Sequence, residues 1–143
     1  MIDPHMPEVQ GKLVYSCIGC GNSYDIYDFV YTCPECGSLL KIKNLNFDDY
    51  KKISPETWQK IFDSRRNTNL PGLSGIFRFH ELILPIIPLN DIIYLGEGQT
   101  PIVKANPELS DWVGAPFLVK NDGLNPSASF KDRGMASAIS FLN

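Results

Sequence analysis

The sequence predicts an α/β protein in which a small metal-binding module precedes the first part of a larger α/β domain. Three observations support this fold class. Two Cys-x-x-Cys pairs lie within residues 17–36, a clear helix start follows at Ser54, and beyond residue 90 strand candidates alternate with glycine-rich turns before a final helix. The predicted segments are residues 1–5, 6–45, 46–90 and 91–143.

Composition excludes several classes of protein. The 143 residues are 43% hydrophobic and 20% charged, which is typical neither of disordered nor of fibrous chains. Thirteen basic and 16 acidic residues give a net charge of -3, which argues against general nucleic-acid binding. The apolar stretch Leu82–Asn90 holds two prolines and is too short to span a bilayer, and no secretory leader is recognisable. We therefore expect a cytoplasmic protein with neither nucleic-acid nor membrane partners.

Residues 1–5 resemble a cloning scar ahead of a natural start at Met6, so His5 is expected to have no role. Residues 6–45 form what we call the cysteine module. Within it, residues 12–15 and 28–31 are short, aromatic and β-branched, which predicts a strand before each cysteine pair. Glycines 21 and 37 follow the two pairs and allow the backbone to turn its amides toward the sulfurs.

The four cysteines predict a structural metal site that resembles a zinc ribbon. Their spacing is Cys-x2-Cys-x12-Cys-x2-Cys, and the ligands are Cys17, Cys20, Cys33 and Cys36. Two facing knuckles can enclose a tetrahedral ion, and four protein ligands leave no open position for catalysis. Zinc is favoured over iron, although thiolates alone do not decide the metal. The alternatives are two disulfides, a redox Cys-x-x-Cys pair and a nucleic-acid-binding zinc ribbon, each with less support in the sequence.

Residues 46–90 form the connecting region, which is predicted to be helical. Ser54 suits an N-cap, Pro55 suits the first turn, and the helix should end near Arg65 and Arg66. Trp58, Ile61 and Phe62 share one face at helical spacing. Residues 67–75 then predict a loop, and residues 76–84 a second short helix closed by a proline.

Residues 91–143 form the lysine region, which is predicted to be one piece of a doubly wound sheet. Residues 92–95, 101–104 and 116–120 are strand candidates, and residues 131–142 predict a helix. An isolated piece of such a sheet should leave its apolar faces without most of their cover. The residues expected to lack that cover are Ile92, Ile93, Phe117, Val119, Ile139 and Phe141.

The loop before the final helix carries a candidate reactive lysine. Ser129 and Asp132 have the spacing of a capping box, which places Lys131 in the first helical turn. The positive end of the helix dipole and partial burial would both lower the pKa of that amine. A neutral amine can condense with an aldehyde. The alternative is a solvated surface lysine with no chemical role.

The segment Leu124–Met135, which reads LNPSASFKDRGM, closely resembles the cofactor-lysine motif of threonine synthases. These are pyridoxal-phosphate (PLP) enzymes of fold type II, the tryptophan synthase β-like fold. The segment Leu95–Pro101, LGEGQTP, resembles an upstream loop of the same family, and some members begin with a four-cysteine segment. Two local differences are Asp122 where members often have Glu, and Ser127-Ala128 in place of a common Thr-Gly.

The resemblance implies that Lys131 forms the Schiff base with PLP and later acts as general base, with Ser129 and Phe130 lining the cofactor pocket. The substrate would be O-phosphohomoserine, a phosphorylated amino acid, which reacts with water to give threonine and phosphate. That is a carbon–oxygen lyase acting on phosphates, and the full-length enzyme would be a homodimer. Asp132 and Arg133 are interpreted as a helix cap and an ion pair that hold the loop.

The family's enzymes are about three times longer than this chain, and the phosphate cradle and pyridine-nitrogen partner of PLP are not recognisable in it. We therefore interpret the chain as an incomplete N-terminal portion that alone neither binds PLP tightly nor turns over substrate. One alternative is cysteate synthase or another PLP-dependent elimination or replacement enzyme of the same fold. The other is a zinc-ribbon binding module without catalytic activity.

Overall fold

The computed structural model describes residues 11–67, 70 and 73–143. The described strands are β1 Leu13–Cys17, β2 Ser23–Asp25, β3 Leu40–Asn44, β4 Ile102–Lys104 and β5 Leu118–Lys120. The described α-helices are α1 Phe47–Tyr50, α2 Pro55–Ser64, α3 His80–Ile83, α4 Pro107–Val113 and α5 Asp132–Leu142. Short 3-10 helices cover Arg65–Asn67, Gly75–Phe79, Leu89–Asp91 and Asp122–Leu124. Within this part of the chain, no helix combines the length and apolar character that a bilayer crossing requires.

The cysteine module contains a three-stranded antiparallel sheet in the order β2-β1-β3. The predicted strand at residues 12–15 is confirmed as β1, whereas the strand predicted at 28–31 is wrong. Instead, the carboxylate of Asp25 accepts a hydrogen bond from the main-chain N–H of Tyr27, and that of Asp28 accepts one from Asp25, both at 3.0 Å. These bonds close a turn, so the aromatic residues that follow do not join the sheet. Strand β1, which ends at the first cysteine, instead pairs with β2 and β3. Strand β2 follows the first cysteine pair in the chain, and β3 follows the second.

Helix α2 confirms the predicted start and end of the first helix. The Ser54 hydroxyl accepts a hydrogen bond from the main-chain N–H of Thr57 at 3.2 Å, which is the expected N-cap. The helix ends at Ser64 and continues as the 3-10 turn Arg65–Asn67. On its packed face the rings of Trp58 and Phe62 stack with centroids 5.2 Å apart. The predicted apolar face of the helix is therefore confirmed.

The rest of the connecting region is also largely as predicted. Of the predicted loop at 67–75, residues 68, 69, 71 and 72 lie outside the described residues. The predicted helix at 76–84 is present as the 3-10 helix Gly75–Phe79 followed directly by α3. A hydrophobic core joins this region to α5. Its members are Ile76, Phe77, Leu84, Ile87, Ile92 and Ala136.

A buried ion pair ties the end of α2 to α3. The Arg65 guanidinium donates two hydrogen bonds to the Glu81 carboxylate, at 2.6 and 2.8 Å, and a third to the carbonyl of Arg78 at 2.9 Å. The side-chain exposures of Arg65 and Glu81 are 0% and 5%. Beside them, His80 is buried with Nε2 2.8 Å from the carbonyl of Ile87, and burial lowers the pKa of its imidazole. This polar cluster was not predicted from the sequence.

The lysine region differs from the predicted piece of a doubly wound sheet. Strands β4 and β5 confirm the candidates at 101–104 and 116–120, but they pair antiparallel, with Ile102 opposite Lys120. Helix α4, which was not predicted, lies between them in the chain; the Asn106 side chain caps it by accepting from the main-chain N–H of Leu109 at 2.8 Å. All strand pairs in the described part of the chain are antiparallel.

The strand predicted at 92–95 is wrong because a helix side chain occupies its backbone groups. The main-chain N–H of Ile93 donates to the Ser140 hydroxyl at 3.0 Å, and the Ser140 hydroxyl lies 3.3 Å from the carbonyl of Ile93. The segment therefore runs against α5 rather than along a strand. Its first residue, Ile92, is buried in the core, contrary to the expectation that it would lack cover. Val119, Ile93 and Ile139 are 37%, 38% and 43% exposed, so these apolar faces are in part uncovered, as predicted.

Candidate metal centre and cofactor-lysine loop

The four cysteine sulfurs of the cysteine module form one compact cluster, with all Sγ atoms within 4.8 Å of one another. The Sγ atoms of Cys17 and Cys36 are 3.4 Å apart, and those of Cys20 and Cys33 are 3.5 Å apart. A tetrahedral zinc site with bonds of about 2.3 Å implies sulfur–sulfur edges of about 3.8 Å. These two separations lie slightly below this value, so the donor set fits a tetrahedral ion after a small expansion.

The backbone of the two knuckles shapes this cluster. Within the first pair, the main-chain N–H groups of Gly19 and Cys20 donate to the Cys17 sulfur at 3.3 and 3.4 Å. Gly37, at a φ of 72°, lets the second knuckle fold back so that its N–H reaches the carbonyl of Cys33 at 2.8 Å. At Gly19, a Cβ would lie 2.4 Å from the Ser38 hydroxyl, so the knuckles approach too closely for a side chain there.

Neighbouring groups shift the pKa values of the cysteine thiols in different directions. Ser38 donates from its hydroxyl and its main-chain N–H to Cys36 and lowers the pKa of that thiol to about 6. The Tyr24 hydroxyl lies 3.0 Å from the Cys33 sulfur and lowers the pKa of Cys33. The main-chain N–H of Asn22 lowers the pKa of Cys20, but burial and the other sulfurs raise it to about 12. Sulfur anions at this spacing repel one another, and a divalent cation would relieve that repulsion.

The cofactor-lysine loop, residues 121–131, connects β5 to α5. Asp132 at the helix start accepts hydrogen bonds from the main-chain N–H of Ser127, at 2.7 Å, and from the Ser127 hydroxyl. The predicted capping box of Ser129 with Asp132 is therefore wrong, because Ser127 is the partner of Asp132. Ser129 instead accepts from the main-chain N–H of Lys131 at 3.2 Å. Asp132 still has the loop-holding role that was predicted for it.

A second set of contacts fixes the loop to the upstream turn. The Arg133 guanidinium donates to both carboxylate oxygens of Asp122, at 2.7 and 3.2 Å, as the ion-pair interpretation predicts. The same guanidinium reaches the carbonyl of Gly98 and the hydroxyl of Thr100, both at 3.3 Å. Arg133 and, after it, the Thr100 hydroxyl hold the pKa of the Asp122 carboxyl below its usual range. The LGEGQTP segment and the lysine motif thus form one structural unit.

Buried Asn125 adds a further link between the two motifs. Its side-chain oxygen accepts from the main-chain N–H of Gly98 at 2.9 Å, and its amide nitrogen donates to the carbonyl of Asp122 at 3.0 Å. No role was predicted from the sequence for Asn125 or Thr100. Both residues belong to the two motifs that carry the resemblance, which could have drawn attention to them. The contact between Asn125 and Gly98 joins residues 27 positions apart, and only the tertiary structure shows it.

The three predicted cofactor residues lie together at the end of this loop. Lys131 directly precedes α5 and is exposed, so the predicted partial burial of its side chain is not present. Phe130 is 66% exposed and Ser129 is half-buried. An accessible amine beside an exposed aromatic ring suits covalent attachment and stacking of an aromatic aldehyde. These residues therefore fit the aldehyde and ring of PLP.

Comparison with known proteins supports the same family. Residues 93–143 match the family described as pyridoxal-phosphate dependent enzyme. The chain is 36% identical over 132 residues to threonine synthase of Methanocaldococcus jannaschii. It is 33% identical over 124 residues to threonine synthase of Methanosarcina acetivorans, and 33% identical over 128 residues to chloroplastic threonine synthase 2 of Arabidopsis thaliana. The resemblance to threonine synthases is confirmed.

These matches cover most of this chain but a minor part of each relative. They include 92%, 86% and 85% of the chain, in the same order of relatives. The chain spans 29%, 26% and 23% of the lengths of those threonine synthases. The likeness therefore extends from the cysteine module through the cofactor-lysine loop.

Proposed function

We propose that this chain is the lysine-bearing N-terminal portion of a threonine synthase, which converts O-phosphohomoserine and water to threonine and phosphate. The observation that carries the proposal is the placement of Lys131. Its side chain is exposed at the start of α5, at the end of a loop held by Arg133 and by Asp132. A fixed backbone and a free amine are what covalent attachment of an aldehyde cofactor requires.

Within this function each residue of the loop has a separate task. Lys131 holds the cofactor through its amine and afterwards moves a proton at the substrate carbon. Phe130 and Ser129 flank the attachment point, where the ring limits the approach of water and the hydroxyl orients the Lys131 backbone. Bound PLP supplies the electron sink that such chemistry needs.

The cysteine module has a structural role in this proposal, with zinc held by Cys17, Cys20, Cys33 and Cys36. A site with four protein ligands has no open position at which a substrate could bind. The stacked rings of Tyr27 and Phe141, with centroids 5.6 Å apart, place the module against α5. The metal would therefore support the lysine region through packing rather than through chemistry.

Because the chain spans 29% of its relative in Methanocaldococcus jannaschii, we propose that the isolated 143 residues do not turn over substrate. We further propose that they do not retain PLP tightly, since Lys131 and its loop supply only one side of a cofactor site. A full-length enzyme would be a cytoplasmic homodimer. A stable yellow PLP adduct of the isolated chain would contradict this proposal.

A chimera tests the function. The 143 residues replace the matching segment of the Methanocaldococcus jannaschii threonine synthase, and threonine formation from O-phosphohomoserine is measured. We expect activity in the chimera and a loss of about 10³-fold or more in Lys131→Arg, which keeps the charge but cannot condense with an aldehyde. Lys104→Arg, on exposed strand β4, is the matched control and should retain activity. Equal activity of the two variants would overturn the role of Lys131.

Two other functions remain as alternatives with distinct readouts. Cysteate synthase, or another PLP-dependent elimination or replacement enzyme, would share Lys131 but fail to use O-phosphohomoserine in the natural full-length protein. A non-catalytic zinc-binding module is favoured by the complete sulfur cluster. It predicts that borohydride reduction with PLP leaves no selective label on Lys131 in the full-length protein.

A further inference from the structure

A cavity of about 790 Å³ lies between the connecting region and the lysine region. Its walls come from the 3-10 helices Arg65–Asn67 and Gly75–Phe79, from the turn near Gly98, from the end of β5 and from the first half of α5. This volume suits a small molecule. Lys131 is not among the residues that line it, so the cavity is separate from the proposed attachment point of PLP.

The charge of the cavity wall has a single sign. Five cationic side chains line it, and no carboxylate does so among the described residues; the cations are Arg65, Arg66, Arg78, Lys120 and Arg133. Clefts lined by one sign of charge concentrate ions of the opposite sign. A cavity with this lining attracts anions if carboxylates outside the lining do not neutralise all five cations.

Three of the five charges are compensated by carboxylates outside the cavity lining. Arg65 pairs with Glu81, Arg66 with Asp63 at 3.3 Å, and Arg133 with Asp122. The remaining two, Arg78 and Lys120, have no carboxylate within ion-pair distance in the part of the chain that the structure describes. The Lys120 amine donates to the carbonyl of Thr100, which is neutral and leaves the positive charge in place.

The surroundings of Arg78 favour its guanidinium as a ligand for an anion. Its Nε is shielded from solvent and has no hydrogen-bond partner among the described residues. Its guanidinium carbon lies 4.7 Å from the centroid of the Phe79 ring, a contact that orients the planar group. Arg78 therefore brings to the cavity wall an oriented guanidinium with no ion-pair carboxylate among the described residues.

We propose that this cavity binds a phosphate group, held by Arg78 with support from Lys120. A guanidinium offers a planar fork of donors that matches phosphate oxygens, and two cations without an ion-pair partner match a dianion better than a monoanionic carboxylate. The shared ligand chemistry is a tetrahedral dianion, which free phosphate and a phosphate monoester both provide. This inference rests on the cavity and not on the proposed lysine chemistry.

Binding of inorganic phosphate to the full chain, prepared with zinc, tests the site. Amide chemical shifts are followed by NMR at constant pH and ionic strength, with O-phosphoserine, acetate and chloride titrated in parallel. We expect saturable shifts at Gly75, Gly98 and Gly134 with inorganic phosphate and at least tenfold weaker binding of acetate. Stronger binding of O-phosphoserine than of phosphate would identify a monoester as the preferred source. Shifts that chloride reproduces would overturn the proposal.

Variants separate this site from the cofactor-lysine loop. Arg78→Gln should weaken phosphate binding at least tenfold, whereas Lys104→Gln, outside the cavity, should leave it unchanged. If Arg78→Gln fails to fold, Lys120→Gln provides the second test and should weaken binding several-fold. Lys131→Ala should bind phosphate normally, which keeps the result independent of the proposed enzyme function. Unchanged binding in a folded Arg78→Gln variant would sink the inference.

Discussion

The cysteine module and the lysine region both carry a chemical motif, but among the described residues only the module brings a full set of candidate ligands together. Its central strand β1 has neighbours on both edges, and four of its five residues are buried. In the lysine region, β4 and β5 form a two-stranded pair in which every residue is exposed. The four cysteines that could hold a metal come from one short segment, whereas Lys131 is a single residue of the proposed cofactor site.

The comparison teaches that motif strength and site completeness are separate properties. The cysteine cluster is made within 20 residues by local turns. The lysine motif is equally recognisable, and its hydrogen bonds to other segments include those to the LGEGQTP segment and to Asp122. The predictions below test whether the two regions really differ in this way.

Metal removal should have the largest effect, and it should fall on the cysteine module. Structural zinc contributes on the order of 10 kcal/mol to the folding of small modules, because the site does not exist in the unfolded chain. A strong chelator should therefore abolish the amide dispersion of residues 11–45, and added zinc should restore it. The measurement is the NMR spectrum during chelation. A module that stays folded without metal would show that its fold does not depend on a metal site.

Loss of the buried ion pair should destabilise the connecting and lysine regions without affecting the metal. Glu81→Gln removes the carboxylate that neutralises fully buried Arg65, which costs about 3–5 kcal/mol in comparable sites. Asp63→Asn, in an exposed pair with Arg66, is the control and should cost less than about 1 kcal/mol. Urea unfolding measures stability, and a zinc titration measures metal affinity. A parallel loss of zinc affinity would show that the regions are not independent.

The pairing of Asp122 with Arg133 should make the lysine region sensitive to acid. Because Arg133 lowers the pKa of Asp122 in the folded chain, this contribution is fully present above the unfolded pKa of about 3.9. It is lost as the pH falls through the lower folded pKa. Asp122→Asn should therefore be less stable than the wild type by a constant amount at neutral pH, and the difference should shrink below about pH 4.

The control for this pH profile is Asp111→Asn on exposed helix α4. That variant should track the wild type across the whole pH range. If Asp122→Asn did the same, the network that joins the two motifs would contribute nothing to stability. The contrast with the metal-dependent module would then need another explanation.

The smallest effect concerns the backbone of the cofactor-lysine loop. Ala128 has a φ of 60°, a conformation that glycine adopts without a Cβ penalty. Ala128→Gly should therefore stabilise the chain by up to about 1 kcal/mol, after allowance for the entropy of glycine in the unfolded state. Ala138→Gly, exposed within α5, makes the same chemical change and should destabilise by about 1 kcal/mol. Thermal unfolding measures the stability change of each variant. Changes of the same sign would contradict backbone strain at Ala128.

The sequence by itself determined the features that depend on neighbours along the chain. The cluster of four cysteines, the N-cap at Ser54, the helix at 131–142 and the lysine motif all follow from short spacings and local propensity. The glycine-to-alanine difference at position 128 was also visible, although its consequence, a positive φ, needed the structure.

Only the tertiary structure decided the features in which distant groups compete for the same partner. Residues 92–95 have the composition of a strand, but Ser140 occupies the backbone groups of Ile93 from 47 residues away. The partner of Asp132 is Ser127 rather than Ser129. Arg65, at the end of α2, pairs with Glu81 of α3. Such choices depend on which acceptor is nearest after packing, and spacing along the chain does not encode that distance.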